Sequence, residues 1–374
     1  MRIHGLKAAV LTMFLLIPVF LLLRPAEAAP AAKHQSAGQA LESHVRARMP
    51  FEDAFGQIQR ELYLLGGRRE LNGIFLTDAG LMRRIGPIND DIVQANIGSV
   101  LSFADSLAGF GADDTIPVFV VLLPSSAAIL EESLPPFSNT INQRQFIEGV
   151  YSALLGRVSV ISVFETLSGH RHEYIFYRTH DNFTSLGGYY IYTQLHIRML
   201  GLAAPTLAAF DLSHPTNNFF GDLYQISPYR GVHPDTITLF HWSVPPRRHI
   251  VTHTGPGSHR VYHTLFPEHM ASLGRPMDVF LGGLSPVTDI YSSVPYERSL
   301  LILGDSTALA YAPFLANHYR RVTIIDIFEP GAVAPDIFAR NYSQVLIAAG
   351  VDTFMTRELP AEILEQLAID PDFL

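Results

Sequence analysis

Short apolar runs separated by stretches of helical period dominate this chain, and that alternation restricts its fold more than any other feature. Residues 118–123, 158–163, 300–303, 322–327 and 345–349 are nearly continuous in Val, Ile, Leu and Ala. Such runs are too short for buried helices and lack the in-and-out alternation of a half-exposed sheet, so they read as strands covered on both faces. Between and beside them, residues 92–107, 144–155, 185–200, 307–318 and 361–367 carry apolar side chains at helical spacing. Doubly buried strands joined by helices imply an α/β fold with a mostly parallel sheet sandwiched between helical layers. At 374 residues the chain is long enough to bury a large core.

Residues 205–295 break this rhythm. They are rich in Pro, Gly, His and Tyr, with short β-like pieces at 237–242 and 249–254. They read as a β-rich insertion between two halves of one domain. Ligands of open α/β sheets sit at the carboxyl ends of the strands, and an insertion there forms a rim or lid. At the start of the chain, Arg2 and Lys7 precede an apolar run at 8–23, and Ala26-Glu27-Ala28 ends it with small residues. That is the layout of a secretory signal, and the run falls short of the roughly twenty residues of a bilayer span. Residues 1–28 are therefore expected to be a signal peptide or, if retained, an N-terminal anchor. Residues 29–48 read as a flexible leader, and 49–374 as a single domain carrying the insertion. Both alternatives place the protein in an exported compartment, periplasmic or extracellular.

A formal charge of -9 with 16% charged residues argues against a disordered chain and against a nucleic-acid surface. Zero cysteines exclude disulfides, thiolate metal sites and thiol nucleophiles together, so any nucleophile is an oxygen or a nitrogen. The pairs His249/His253 and His259/His263 have the spacing of metal ligands on a helix. Pro245, Pro246, Gly255, Pro256 and Gly257 make a helix there untenable, so no metal and no cofactor are expected. Arg68, Arg69, Arg83 and Arg84 form two basic pairs expected on a solvated face.

Two blocks bear on chemistry. The strand at 300–303 runs into Gly304-Asp305-Ser306, with a helix from about Thr307. A serine at a strand-to-helix turn is presented at the sheet edge, and the free N–H groups of the helix start can hold an oxyanion. Asp305 or Ser306 acting only as a helix cap explains the same residues. The second block, from Tyr177 through Arg178, Thr179, His180, Asp181, Asn182, Phe183 and Thr184 to Ser185, gathers polar side chains in the turn before a helix.

Taken with residues 118–129 (VFVVLLPSSAAI), 278–283 (DVFLGG) and 299–315 continuing to Asp326, these blocks stand in an order that resembles the DHHW family of exported bacterial proteins. That family is similar to the AlgJ/AlgX-type SGNH hydrolase-like proteins of polysaccharide O-acetylation. The resemblance spans most of residues 50–355. It implies an SGNH-type three-layer sandwich with Ser306 as nucleophile and carbohydrate as ligand. The expected role is ester hydrolysis or O-acetyl transfer on acylated polysaccharide, with a membrane-bound O-acyltransferase as a partner.

The match fails where catalysis needs it. The family's Arg-Thr-Asp-His-His-Trp-Thr stretch falls on Arg178 to Thr184, so its aspartate becomes His180, its first histidine Asp181, its basic second histidine Asn182 and its tryptophan Phe183. The Asn expected after the paired glycines is Leu284, and the arginine expected near Asp326 is missing. An amide is no base, a serine without a base is a weak nucleophile, and an absent oxyanion donor costs about 3 kcal/mol of barrier. Two readings stay open. In one, Ser306 is served by a rerouted His180 with Asp181 or Asp305 orienting it, although adjacent residues of an extended turn diverge. In the other, the protein is a non-catalytic carbohydrate-binding or scaffold protein, with Arg178, Asn182 and Gly283 among its binding residues.

Overall fold

The inner parallel strands of the central sheet send alternate side chains into two separate cores, which is why their apolar runs are unbroken. The computed structural model describes residues 69–108, 116–255, 258–328, 342–360 and 364. The expected signal and leader, and all of 361–367 except Leu364, lie outside the described residues. Five parallel strands run from one edge of the sheet inward: β4 (Val118–Leu123), β5 (Ser159–Val160), β11 (Ser299–Gly304), β12 (Arg321–Asp326) and β13 (Gln344–Gly350). Their order is β5-β4-β13-β11-β12. Leu301 pairs with Thr323 on one side and Val345 on the other.

Leu300 and Ile302 join one core with Phe119, Val121, Ile324 and Leu346. Leu301 and Leu303 join the other with Val118, Val120, Val345 and Ile347. The first core is roofed by α5 (Ser185–Leu200) and α8 (Ala308–Leu315), the second by α1 (Asp90–Ala108), α3 (Gln143–Leu154) and α9 (Val351–Thr356). Each fully buried Leu or Ile of β11 contributes about 1.5–3 kcal/mol. The result is the mostly parallel three-layer α/β sandwich of the SGNH type.

The inserted segment divides its residues between two tasks. β6 (Phe210–Phe219) and β7 (Asp235–Trp242) pair as an antiparallel ribbon, linked through α6 (Asp222–Ile226). β8 (His249–Gly255), β9 (Ser258–Tyr262) and β10 (Val287–Ser292) instead extend the central sheet antiparallel beyond β12. His249 and His253 therefore lie on a strand, where four residues span about 13 Å, too far to share one metal ion.

Before the sandwich, β1 (Glu70–Leu71), β2 (Ile74–Thr77) and β3 (Gly80–Arg83) make a small antiparallel sheet. The Leu81 N–H donates to the Arg178 carbonyl at 2.7 Å, and the Ser227 hydroxyl to the Leu71 carbonyl at 2.9 Å. Those contacts hold the end of β3 beside the 177–181 turn. Two expected elements are shorter than their patterns. The strand at 158–163 pairs only at Ser159–Val160, at the sheet's edge. The helix at 307–318 ends at Leu315, with His318 N–H turning back to the Leu315 carbonyl just after Pro313.

Candidate functional site

Four neighbouring parallel strands end at one cleft of about 630 Å³, where the topology of an open α/β sheet puts ligands. Its floor comes from Ser125 and Ser126 after β4, Asp305 and Ser306 after β11, Asp326 at the end of β12, and Asp352 after β13. Its wall is built from Arg83, His180, Asp181, Asn182 and Asp222.

Ser306 is exposed, and its hydroxyl makes no hydrogen bond among the described residues. Asp305 beside it is buried and fully engaged. One of its oxygens accepts from the Gly350 N–H at 2.8 Å, and the other from the Thr307 N–H at 3.0 Å and the Thr307 hydroxyl. It ties β11 to β13 and starts α8 through a local side-chain turn. Gly304 permits this close arrangement, since a Cβ there would lie 2.6 Å from the Ala348 carbonyl oxygen.

The 177–182 turn is organised by a carboxylate far away in sequence. Asp235 of β7, wholly buried, accepts from the Arg178 N–H at 2.7 Å, the Thr179 N–H at 2.8 Å and the Tyr174 and Thr179 hydroxyls. The Thr179 hydroxyl in turn accepts from the Gly221 N–H at 2.9 Å. A Cβ on Gly221 would come within 2.2 Å of the His180 Cβ, so only glycine lets the start of α6 approach. Asp222 then meets His180, its Oδ1 lying 2.6 Å from the imidazole Nδ1. The same oxygen accepts the Asp181 N–H at 3.0 Å.

His180 and Asp181 point to different partners. The Asp181 carboxylate pairs with the Arg83 guanidinium, which also lies 3.4 Å from Asp222. Asn182 turns to the serine: its Nδ2 donates to the Ser306 carbonyl at 3.1 Å, and its Oδ1 accepts the Phe183 N–H at 2.8 Å. The orienting partner of His180 is thus Asp222, not Asp181 or Asp305. His180 shares no hydrogen bond with Ser306.

The carboxyls differ in their electrostatic settings. Burial pushes Asp222 upward, but the hydrogen bond and charge of His180, the Asp181 N–H and Arg83 outweigh it and hold that carboxyl down at about 2. Burial, reinforced by the charges of Asp181 and Asp305, pushes Asp352 up to about 6. Among the described residues no group of three or more His, Asp or Glu side chains is placed to hold a metal ion.

Of the residues singled out by sequence, Ser306, His180, Asp181, Asn182 and Asp305 meet in the cleft, whereas Arg178 and Gly283 do not line it. The Arg178 guanidinium stacks over Tyr174 at 4.4 Å. Gly283 serves a turn at φ 87°, its N–H bonded to the Phe280 carbonyl, with Leu284 packed on the core. Arg83, expected on a solvated face, is instead half-buried in the wall, because its partners Asp181 and Asp222 come from distant segments. Asp222, Asp235 and Asp352 escaped the sequence reading. Only Asp352 left a signal there: it comes two residues after Gly350, which ends a buried strand, much as Asp305 comes one residue after Gly304.

A solvent-facing serine follows a central strand of the α/β/α sandwich, at the start of a helix, in a fold that is SGNH-like. The chain belongs to the DHHW family, whose model, described as DHHW protein, matches residues 100–325. A DHHW family protein from Eubacterium siraeum superposes with a TM-score of 0.63 at 21% identity, covering 79% of this chain and 96% of that one. PatB1 of Bacillus cereus, solved with a sulfonyl adduct, gives 0.60 at 13% identity over 77% and 99%. The O-acetyltransferase domain of Pseudomonas putida AlgJ gives 0.49 at 14% identity over 79% and 98%. No curated protein matches the chain. No helix among the described residues is long and apolar enough to cross a membrane.

Proposed function

We propose that this is an exported SGNH-like protein that holds acylated polysaccharide in the Ser306 cleft without turning over esters through that serine. The observation that carries the reading is Asn182. The resemblance puts Asn182 where the family carries its base, its amide donates to the Ser306 carbonyl, and the Ser306 hydroxyl has no hydrogen-bond partner among the described residues. A serine lacking a proton acceptor is a poor nucleophile. The rest of the cleft is rich in carboxylates with an arginine, donors and acceptors suited to sugar hydroxyls. Export follows from the layout of residues 1–28, and the family resemblance puts a membrane-bound O-acyltransferase forward as the partner.

The test compares the purified protein with Ser306→Ala on p-nitrophenyl acetate and on acetylated xylan. Equal rates for the two proteins, with glycan binding retained by Ser306→Ala and lost in Asp181→Ala, are expected. A rate that collapses in Ser306→Ala overturns the reading. One further variant probes the same cause: restoring the family's order with His180→Asp and Asn182→His together is expected to raise Ser306-dependent hydrolysis by about a hundredfold or more, the usual contribution of a positioned base.

A second reading rests on the 2.6 Å contact of His180 with Asp222. That pair is an oriented imidazole on the cleft wall, and through it Ser306 would carry out ester hydrolysis or O-acetyl transfer. Loss of turnover in both Ser306→Ala and Asp222→Asn is the outcome that selects it.

A further inference from the structure

On the other side of the 125–128 segment from the Ser306 cleft lies a second depression, of about 760 Å³, between the loop that leads into α3 and the end of α4 (Phe164–Gly169). Three features set it apart. Phe137, at the loop's crest, is fully exposed and has a backbone φ of 62°, a conformation a bulky aromatic residue rarely adopts. The ring is exposed to solvent rather than packed in the core, and Phe137 is among the residues that line the groove.

Below the ring, Arg144 lies over Phe164 at 4.5 Å and pairs with Glu165. Arg171 pairs with Glu132 at 2.6 Å. The Thr140 hydroxyl is buried without a partner. Two ion pairs and an unpaired hydroxyl beside an aromatic face match what a pyranose ring offers: C–H faces for stacking and hydroxyls around the edge. The groove's charged lining is Glu131, Glu132, Arg144 and Arg171, which sums to zero and gives no net field to attract a polyanionic ligand.

One short segment, residues 125–128, borders both the groove and the cleft. Gln143 lines the groove, and its amide clasps Ser125 by two hydrogen bonds, of 2.7 Å to the Ser125 hydroxyl and 3.0 Å from the Ser125 N–H. Ser125 and Ser126 belong to the cleft floor, while Ala127 and Ala128 belong to the groove. Those four residues reach at most about 11 Å, roughly the length of two sugar units.

We infer that the groove headed by Phe137 is a distal subsite for uncharged sugar units of the same glycan chain that enters the Ser306 cleft, so that the protein grips a run of several sugars rather than one. The inference rests on the carbohydrate-binding reading of the cleft. Its test is calorimetric titration with ladders of acetylated xylo-oligosaccharides and chito-oligosaccharides, from disaccharides to octasaccharides. Wild-type affinity is expected to rise by about tenfold with chain length, a gain that reports additional sugar contacts. Phe137→Ala removes the rise and leaves disaccharide affinity unchanged, and Phe137→Trp keeps it. Since the ring is fully exposed, both variants keep the fold. A length dependence that survives in Phe137→Ala overturns the distal subsite while the cleft reading stands. Absence of binding by every member of both ladders overturns the two together.

Discussion

Asn182 and Asp352 show how single side chains set the behaviour of the cleft. Asp352 has a folded pKa pushed up to about 6, so the folded chain holds its proton more tightly than the unfolded chain does. Stability therefore falls as pH rises from about 4 to about 6 and levels off above that window. Asp352→Asn is expected to raise the urea midpoint at pH 7 and to change it little at pH 4. A midpoint raised equally at both values would mean the gain has another origin. Gly221→Ala is expected to cost about 1–3 kcal/mol, the range for overpacking a well-filled site, because the new methyl meets His180. Urea titration gives that number. At this scale the sequence was only partly readable. Ser306, His180 and Asn182 stood out because each sits in a short local motif. Arg83 and Asp222 reach the cleft only through tertiary contacts with the 180–182 turn, and no local spacing announces such contacts.

Among the elements, the turn before α5 depends most on a distant residue. Asp235 satisfies two backbone N–H groups and two hydroxyls there. Asp235→Ala strands those donors in a dry interior, at an expected cost of about 3 kcal/mol or more. The same change should abolish glycan binding in chains that remain folded. Intact binding in Asp235→Ala would show that the turn keeps its shape unaided. By contrast, the strands and helices were largely legible, because the β11 pattern of Leu300, Leu301, Ile302 and Leu303 leaves no polar face, and a strand without a polar face must be covered twice. What the pattern could not give was extent. The 158–163 run looks like a full strand, but as the outermost strand it pairs over only two residues, and α8 ends early at Leu315. Nor did composition show that β8, β9 and β10 would be recruited into the main sheet, since strand order is settled by pairing partners far apart in the chain.

Across the whole molecule, several histidines are buried as neutral rings. His318, stacked on Tyr192 and hydrogen-bonded to its hydroxyl at 2.7 Å, is pushed down to about 3 by burial and then by His196, Arg247 and Arg298. His249 is lowered to about 4 by burial and then by Arg247. In the unfolded chain these rings titrate near 6.5. Between that value and about 4 the unfolded state therefore binds more protons, and stability is lost as pH falls through the window. The opposing contribution of Asp352 is a single group. We expect the urea midpoint to drop between pH 7 and pH 4.5, and the slope of that drop to shrink in His318→Gln whatever its absolute stability. An unchanged slope would exonerate His318.

Placing β13 between β4 and β11 has a consequence for how the chain comes into being. Val118 finds its neighbour Val345 only after the 226 residues between them (119–344) have been made, so the inner edges of β4 and β11 stay unpaired until then. Open strand edges invite mispairing with other chains. The amide of Gly350 that fastens Asp305 arrives with the same late strand, so a chain emerging N-terminus first carries its serine turn unfastened until residues 344–350 have joined the sheet. The period of greatest aggregation risk and the birth of the cleft thus end in the same event.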